Sequence, residues 1–368
     1  MLAALIASPV PTVGIDVGGR MNRSISILFR AIPLAMGAVC LAFGLYVLSG
    51  GDDADHYVAG HVNVALTAIC IALFCTAATI IRQLVQVYGT LWEVALPALG
   101  YAVAVATMIW GVVIVQRGDE PQYVVAGYVT LGIGFIAASV STVATASTKF
   151  TLIQTSAALD IDSGPPPEAY SERVRAVLVA IPAVLAVVGL VIAGTLYARG
   201  TTPEVVAGHV VTGLSLVCSA LVALVASIVR QVRNEFGEAE RFRWTWWVAA
   251  MGTINVVLGL GVLLASDNPA RLAPGVVLIG LGLICFSIVS KVVLLALVWR
   301  QVFALANRIP IIPVGTALTC LFFAAFLFEA TTRQPGFFVG AHVLVGLGAV
   351  CFTLFSIVSI LEAGTSSS

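Results

Sequence analysis

Charged side chains are scarce in this 368-residue sequence. Lys and Arg together number 18, Asp and Glu number 18, and the formal net charge is zero. Charged residues are 10% of the chain, against about 25% in soluble domains, so an ordinary soluble domain is excluded. The absence of a basic excess removes any argument for a nucleic-acid partner. Hydrophobic residues make up 60%, which predicts a polytopic helical protein whose partner is the lipid bilayer.

Motifs of catalysis and of cofactor binding are also missing. The sequence holds no GxSxG, no HExxH, no P-loop and no GxGxxG that opens a βαβ unit. Its seven Cys form no CxxC pair and lie inside apolar stretches, which argues against a disulfide framework. We therefore predict no enzyme activity, cofactor or metal.

Basic residues are missing from the extreme N-terminus as well. Met1–Ile6 is apolar but too short to span a bilayer, and a stretch rich in Pro and Gly follows it. A signal peptide needs a positively charged start and a longer apolar region. Residues 1–20 are therefore predicted to be a disordered extension ahead of a start at Met21, and residues 365–368 to be a tail.

What the sequence does contain is a unit that recurs five times. Each copy has a signature such as VAGHVNVALTAIC, which starts at Val58, and we take its His position as offset 0. The five anchors are His61, Tyr128, His209, Val276 and His342, which are separated by 67, 81, 67 and 66 residues. Self-similarity at a nearly fixed period indicates a repeat architecture.

Each unit contains two apolar stretches of about 20 residues or more, the length that spans a bilayer. The ten predicted helices are about 27–49, 57–82, 93–116, 123–149, 174–197, 204–231, 245–265, 271–299, 310–329 and 336–361. They pair into hairpins at about 27–82, 93–149, 174–231, 245–299 and 310–361, within one transmembrane domain, 21–364. The longest step between anchors contains a predicted cytoplasmic linker at about 153–173.

Lys and Arg are distributed unequally between the two ends of these helices. Thirteen lie on the side of the N-terminus and four on the opposite side. The positive-inside rule therefore places both termini in the cytoplasm and starts every signature at the outer face. The resulting fold class is all-α, built from five parallel helical hairpins that can close into a pseudo-fivefold ring.

Small residues recur along one face of each signature helix, at offsets 0, 4, 7, 11, 14 and 18. This small face either packs one helix closely against the next or lines a central cavity that holds a lipid or a small solute. The candidates for a central face are Gly132, Ser139, Thr142, Gly213, Ser227, Gly280, Ser287, Ser290, Gly346, Thr353 and Ser356.

The histidines lie near the predicted outer face. His61, His209 and His342 occupy offset 0, Tyr128 takes the same position in the second copy, and His56 lies in an acidic loop. If offset 0 faces a shared vestibule, these residues form a pH sensor, because His titrates near pH 6. The alternatives are hydrogen bonds to a neighbouring helix end or to interfacial water, or ligation of a metal or haem.

Lys291 is the one formal charge well inside a predicted span. An intramembrane charge is a functional candidate by default. The alternative is that its long side chain reaches the cytoplasmic interface.

Several long stretches resemble a known family. They are RAIPLAMG from Arg30, YVAGHV from Tyr57, SDNPARLAPGVVLIGLGLICFSIVSKVVLLALVWR from Ser266, LANRIPIIPV from Leu305 and VLVGLGAVCFTLFSIVSILEAG from Val343. Over residues 21–364 the chain is similar to the YhiM-like bacterial inner-membrane family. The resemblance implies a ten-helix inner-membrane protein linked with survival of acid or other envelope stress, and it supplies no substrate or catalytic residue.

Three functions follow as hypotheses. The first is a pH-responsive channel or exporter with a central path. The second is a non-conducting membrane protein that stabilises the envelope or docks partners, and the third is a His-ligated haem or metal redox protein. The sequence leaves the oligomeric state open.

Overall fold

The computed structural model describes residues 23–84, 90–148, 171–232, 238–265, 268–299 and 309–365. Within these ranges the chain forms ten long α-helices and two short 3₁₀ turns. The helices are α1 Arg23–Gly50, α2 Ala54–Leu84, α3 Thr90–Val115, α4 Pro121–Ser147, α5 Glu172–Arg199, α6 Thr202–Val232, α7 Glu238–Leu264, α8 Leu272–Trp299, α9 Ile311–Thr331 and α10 Phe338–Thr365.

All ten helices are long and apolar enough to cross a membrane, since a helix rises about 1.5 Å per residue and the hydrocarbon core is about 30 Å thick. The predicted all-α membrane fold with ten spans is therefore confirmed. The extension 1–20, most of the linker (149–170) and the last three residues lie outside the described part of the chain.

The helices divide into two sets by burial. We compare the share of buried residues in the most apolar 18-residue stretch of each helix. This share is 72–83% in α2, α4, α6, α8 and α10, and 22–28% in α1, α3, α5, α7 and α9. The odd-numbered helices also carry most of the exposed large hydrophobic residues, such as Val191 and Phe322. The even-numbered helices therefore make the core, and the odd-numbered helices present the surface that suits lipid.

The even-numbered helices pack against one another. Helix α2 contacts α4 and α10, α6 contacts α4 and α8, and α8 also contacts α10. Each odd-numbered helix packs chiefly against the even-numbered helix that follows it and, less extensively, against a second one. Each even-numbered helix therefore has two even-numbered neighbours.

Glycines allow the two helices of a hairpin to cross closely in three cases. A Cβ added at Gly44 would lie 2.9 Å from the carbonyl oxygen of Gly60. In the second hairpin, a Cβ at Gly127 would lie 2.9 Å from the Gly111 carbonyl oxygen, and in the fourth, one at Gly259 would lie 2.6 Å from that of Gly275. Small residues at such crossings bring membrane helices into van der Waals contact, and no larger side chain fits.

Candidate functional site

A narrow cavity runs between the five even-numbered helices. Its wall is formed by Leu66, Ile69, Leu73, Thr76, Ile136, Val140, Val143, Leu214, Val217, Leu221, Leu224, Leu281, Ile284, Ile288, Lys291, Leu347, Val350 and Leu354. These residues occupy offsets 5, 8, 12 and 15 from the anchors, and we call this surface the axial face. The same four offsets supply the lining from each helix, apart from offset 5 in α4 and offset 15 in α10.

The axial cavity is tight and apolar. A water molecule's centre can occupy only about 20 Å³ of it, which is room for about one or two waters. Of the 18 lining residues, only Thr76 and Lys291 carry a polar side chain. The aliphatic layers therefore form a hydrophobic constriction between the five helices.

Lys291 lies at offset 15, where this cavity meets a second one. The second cavity is lined by Thr76, Ile80, Val143, Ser147, Leu224, Ile228, Lys291, Leu295 and Ile357. Lys291 is 4% exposed, and it has no hydrogen bond or ion pair with any residue that the structure describes. A buried ammonium without a partner is costly. Lys291 is therefore a buried group whose charged form is not compensated by any described side chain.

The small face lies elsewhere than on the axis. A Cβ added at Gly132 would lie 2.6 Å from Leu214, and a Cβ at Gly346 would lie 2.5 Å from Leu66. In the same way, a Cβ added at Gly213 would lie 2.8 Å from the Leu281 side chain, and one at Gly280 would lie 2.6 Å from the Leu347 side chain. In each case the glycine at offset 4 accepts the leucine at offset 5 of the next even-numbered helix.

Of the two interpretations of the small face, this arrangement matches close packing between helices rather than the lining of a central cavity. Offsets 5, 8, 12 and 15 point about 100° around the helix from the small face. The eleven candidates Gly132, Ser139, Thr142, Gly213, Ser227, Gly280, Ser287, Ser290, Gly346, Thr353 and Ser356 are all absent from the cavity wall. The glycines sit in seams between helices, as the packing interpretation of the small face requires.

The hydroxyls of the small face are used within the protein. The side chains of Ser139, Thr142, Ser227 and Thr353 each donate to the carbonyl oxygen four residues earlier. Thr353 also donates to Cys70 Sγ at 3.8 Å. Ser287 Oγ lies 2.6 Å from Thr316 Oγ1. Ser290 and Ser356 are fully buried. Most of these hydroxyls therefore bond a carbonyl of their own helix, and those of Ser287 and Thr353 also reach a neighbouring helix.

The three signature histidines each bond their own helix. The Nδ1 atom of His61 lies 2.8 Å from the Tyr57 carbonyl oxygen, that of His209 lies 2.6 Å from the Val205 oxygen, and that of His342 lies 2.8 Å from the Phe338 oxygen. Because a carbonyl oxygen only accepts, Nδ1 carries the proton in each. The partner in each case is a carbonyl four residues earlier in the same helix, and not the end of a neighbouring helix.

The histidine rings contact different odd-numbered helices. His61 stacks on Trp110 of α3, and His209 meets Tyr197 of α5. His342 lies against Phe43 of α1 and Phe328 of α9. Neither cavity on the axis is lined by a histidine or by Tyr128. In the described residues, the rings of His61, His209 and His342 therefore face the grooves between an even-numbered helix and its odd-numbered neighbours, and neither axial cavity.

His56 belongs to a separate cluster at the start of α2. Its Nδ1 lies 2.7 Å from Asp53 Oδ2, and the His56 backbone N–H donates to Asp53 Oδ1. That backbone hydrogen bond, with the side-chain one, lowers the pKa of the Asp53 carboxyl below its ordinary value. The His56 ring contacts Phe338, which in turn contacts His342. His56 and His342 are therefore brought into contact with the same phenyl ring.

No metal centre is formed by the described residues, in which no three His, Cys, Asp or Glu side chains come together. The residues that sequence reasoning missed are the aliphatic side chains of the axial face. A signal was present, since offset 5 reads Leu66, Ile133, Leu214, Leu281 and Leu347. This pattern does not by itself identify the axis, because aliphatic residues are common on every face of a membrane helix.

Comparison with known proteins assigns the chain to a family. The family model described as "Protein of unknown function (DUF2776)" matches residues 21–366. The chain is 50% identical over 348 residues to the inner membrane protein YhiM of Escherichia coli (strain K12), an alignment that covers 94% of this chain and 99% of the relative. The resemblance seen in the sequence is thus confirmed: the chain is similar to the inner membrane protein YhiM and belongs to the DUF2776 family.

Proposed function

We propose that this protein is an inner-membrane channel whose five hairpins form a pseudo-fivefold ring, with a path for small anions along the axis. The contacts of each even-numbered helix with two others support a closed ring. In four of the contacts between even-numbered helices, the glycine at offset 4 lies against the leucine at offset 5 of the next helix. The recurrence of the same contact supports parallel hairpins that are related by rotation. The inner-membrane location follows that of the relative YhiM.

The aliphatic layers at offsets 5, 8 and 12 would act as the gate. A hydrophobic constriction blocks ions by excluding water, although no side chain needs to plug it. With space for about one or two waters on the axis, this conformation corresponds to a closed channel. Opening requires the five even-numbered helices to separate enough for a continuous column of water.

Lys291 is the observation that carries the proposal. Its side chain is buried, unpaired within the described chain and part of the wall of both axial cavities. A helical core gains no stability from such a charge, which makes Lys291 a functional group by the usual expectation for intramembrane charges. A single positive charge on an otherwise apolar path favours a small anion.

A matched pair of substitutions tests the gate. Val217 is fully buried on the axial face, whereas Val191 on α5 is 61% exposed on the outside of the bundle. We expect Val217→Ser to increase chloride leak through reconstituted vesicles by about tenfold, since a more polar gate lowers the cost of wetting by about 1–2 kcal/mol. Val191→Ser should leave the leak at the wild-type level. Equal leak in both variants would contradict an axial gate.

One contact in the structure would make the proposed channel respond to acid. His56 and His342 both contact the Phe338 ring, and two protonated imidazole rings so close would repel each other in a partly dry environment. We expect the double variant His56→Gln and His342→Gln to lose acid-dependent chloride flux, and His209→Gln to retain it. Unchanged acid dependence in the double variant would leave the stress role implied by the family without support from these residues.

A non-conducting scaffold is the second candidate. The observation that favours it is the tight fit of leucines into glycine seams, which would make the axis a packed core. In that case Val217→Ser lowers the thermal stability and creates no leak, so the same experiment separates the two functions.

A further inference from the structure

A wide groove opens on the outside of the bundle, near the end at which the even-numbered helices begin. It is bounded by α5, α6, α7 and the start of α8, and it encloses about 630 Å³. That volume lies within the range of about 300–1,000 Å³ that is typical of ligand pockets. The groove is separate from the axial cavities, with which it shares no lining residue.

The groove is open because this hairpin lacks an aromatic side chain that the corresponding places in other hairpins contain. His61 is covered by Trp110, and His342 is enclosed by Phe43 and Phe328 from two odd-numbered helices. His209 has the Tyr197 ring of α5 on one side. On the other side, α7 presents small and aliphatic residues instead of a ring.

Gly261 is the point where α7 leaves the most room. No atom lies within 4 Å of a Cβ added at this glycine, although it belongs to the wall of the groove. Val257, Leu258 and Val262 continue the same wall along the helix. From Val257 to Ala265 this apolar wall extends about 12 Å along the membrane normal, which matches part of an extended acyl chain.

The mouth of the groove has the opposite character. Arg271 lies there with His209, Tyr197 and Thr212, and the Tyr197 and Thr212 hydroxyls are 3.4 Å apart. Arg199 nearby is already paired with Glu204 at 3.4 Å. Arg271, by contrast, has no carboxylate partner among the residues described. A guanidinium above an apolar slot is complementary to a phosphate with a hydrocarbon chain below it.

We propose that this groove binds one phospholipid molecule, with its phosphate on Arg271 and an acyl chain along α7. The inference does not rest on the channel proposal, because a scaffold protein with the same surface would bind the lipid equally. The two hydroxyls add hydrogen-bond partners at the level of the headgroup. The unfilled place beside Gly261 accommodates the chain.

Native mass spectrometry of the full-length protein, after exchange into detergent with added phosphatidylglycerol, tests the site. We expect the wild-type protein to retain one lipid per chain and Gly261→Leu to lose it, because the new side chain fills the groove without striking the protein. Gly315→Leu is the matched control, since Gly315 on α9 also has no atom within 4 Å of an added Cβ and lies outside the groove. Arg271→Gln should weaken retention by about tenfold, the loss of one charge-assisted phosphate contact.

Three results would overturn the proposal. One is a Gly261→Leu variant that retains lipid as well as Gly315→Leu does. Another is the absence of any retained lipid in the wild-type protein. The third is a dimer that Gly261→Leu abolishes, which would make the groove a contact with a second copy of the chain. Thermal stability of Gly261→Leu close to wild type would show that the variant is folded.

Discussion

Replacing Lys291 with Met removes the charge on the axis while keeping a long, unbranched side chain. Lys291 is 4% exposed and gains no ion pair from any residue in the described ranges, so its ammonium contributes a desolvation cost without a matching attraction. Even a buried ion pair can often be replaced by apolar residues of similar volume with a neutral effect or a gain of about 1–4 kcal/mol, and an unpaired ammonium lacks the attraction that offsets part of its desolvation cost. In chloride-free buffer we therefore expect Lys291→Met to raise the free energy of unfolding by up to about 4 kcal/mol.

The same variant measures anion binding through its effect on stability. An anion that binds the folded state alone stabilises it by about 1.4 kcal/mol at ten times its Kd. Thermal unfolding in detergent, compared between chloride and the bulky anion gluconate, should show this gain in the wild-type protein and in Lys291→Arg. Lys291→Met should show none. A variant destabilised by more than about 1 kcal/mol, or stabilised by chloride like the wild type, would refute the reasoning.

Three further predictions concern the seams, the helix start and the orientation. Gly346→Ala should cost about 1–3 kcal/mol of unfolding free energy, since its Cβ would lie 2.5 Å from a leucine side chain, whereas Gly315→Ala should cost nothing measurable by thermal unfolding. Asp53 caps α2 by accepting from two backbone N–H groups, so Asp53→Ala should cost about 1 kcal/mol at pH 7. Because hydrogen bonds from His56 lower the pKa of this carboxyl, its stabilising effect is present above the ordinary pKa and is lost as pH falls through the lower folded value, which denaturation curves between pH 7 and pH 2 would reveal. Cys introduced at Asp53 should react with a membrane-impermeant reagent from outside intact spheroplasts, and Cys at Ser367 should not; the reverse pattern would contradict the orientation.

The number and type of the helices could be predicted because the bilayer imposes one length and one chemistry on every span. The rotation of each helix about its own axis could not be predicted with the same confidence. In a soluble helix, polar and apolar faces separate the outside from the core. Here the small face, the axial face and the lipid face are all apolar, so composition alone does not distinguish a seam from a cavity.

Lys291 shows which signal would have resolved the rotation. It stands at offset 15, on the same face as the aliphatic residues at offsets 5, 8 and 12. A charge inside a membrane protein normally faces the interior of the bundle, so its face is the better candidate for the axis. The histidines do not give this signal, because offset 0 lies on the small face, which packs against neighbouring helices rather than lining the axis.

The seams and the proposed gate are physically coupled, because the same side chains serve both. Leu66, Leu214, Leu281 and Leu347 line the axial cavity, and each also fills the space above a glycine of the neighbouring helix. Such close contacts contribute through many small dispersion terms that are lost together when the surfaces separate. Widening the axis therefore withdraws four leucines from four seams at once, which favours two discrete conformations over a continuous range. A stimulus that loosens one seam also weakens the constriction, even when it acts at the outer grooves rather than on the axis.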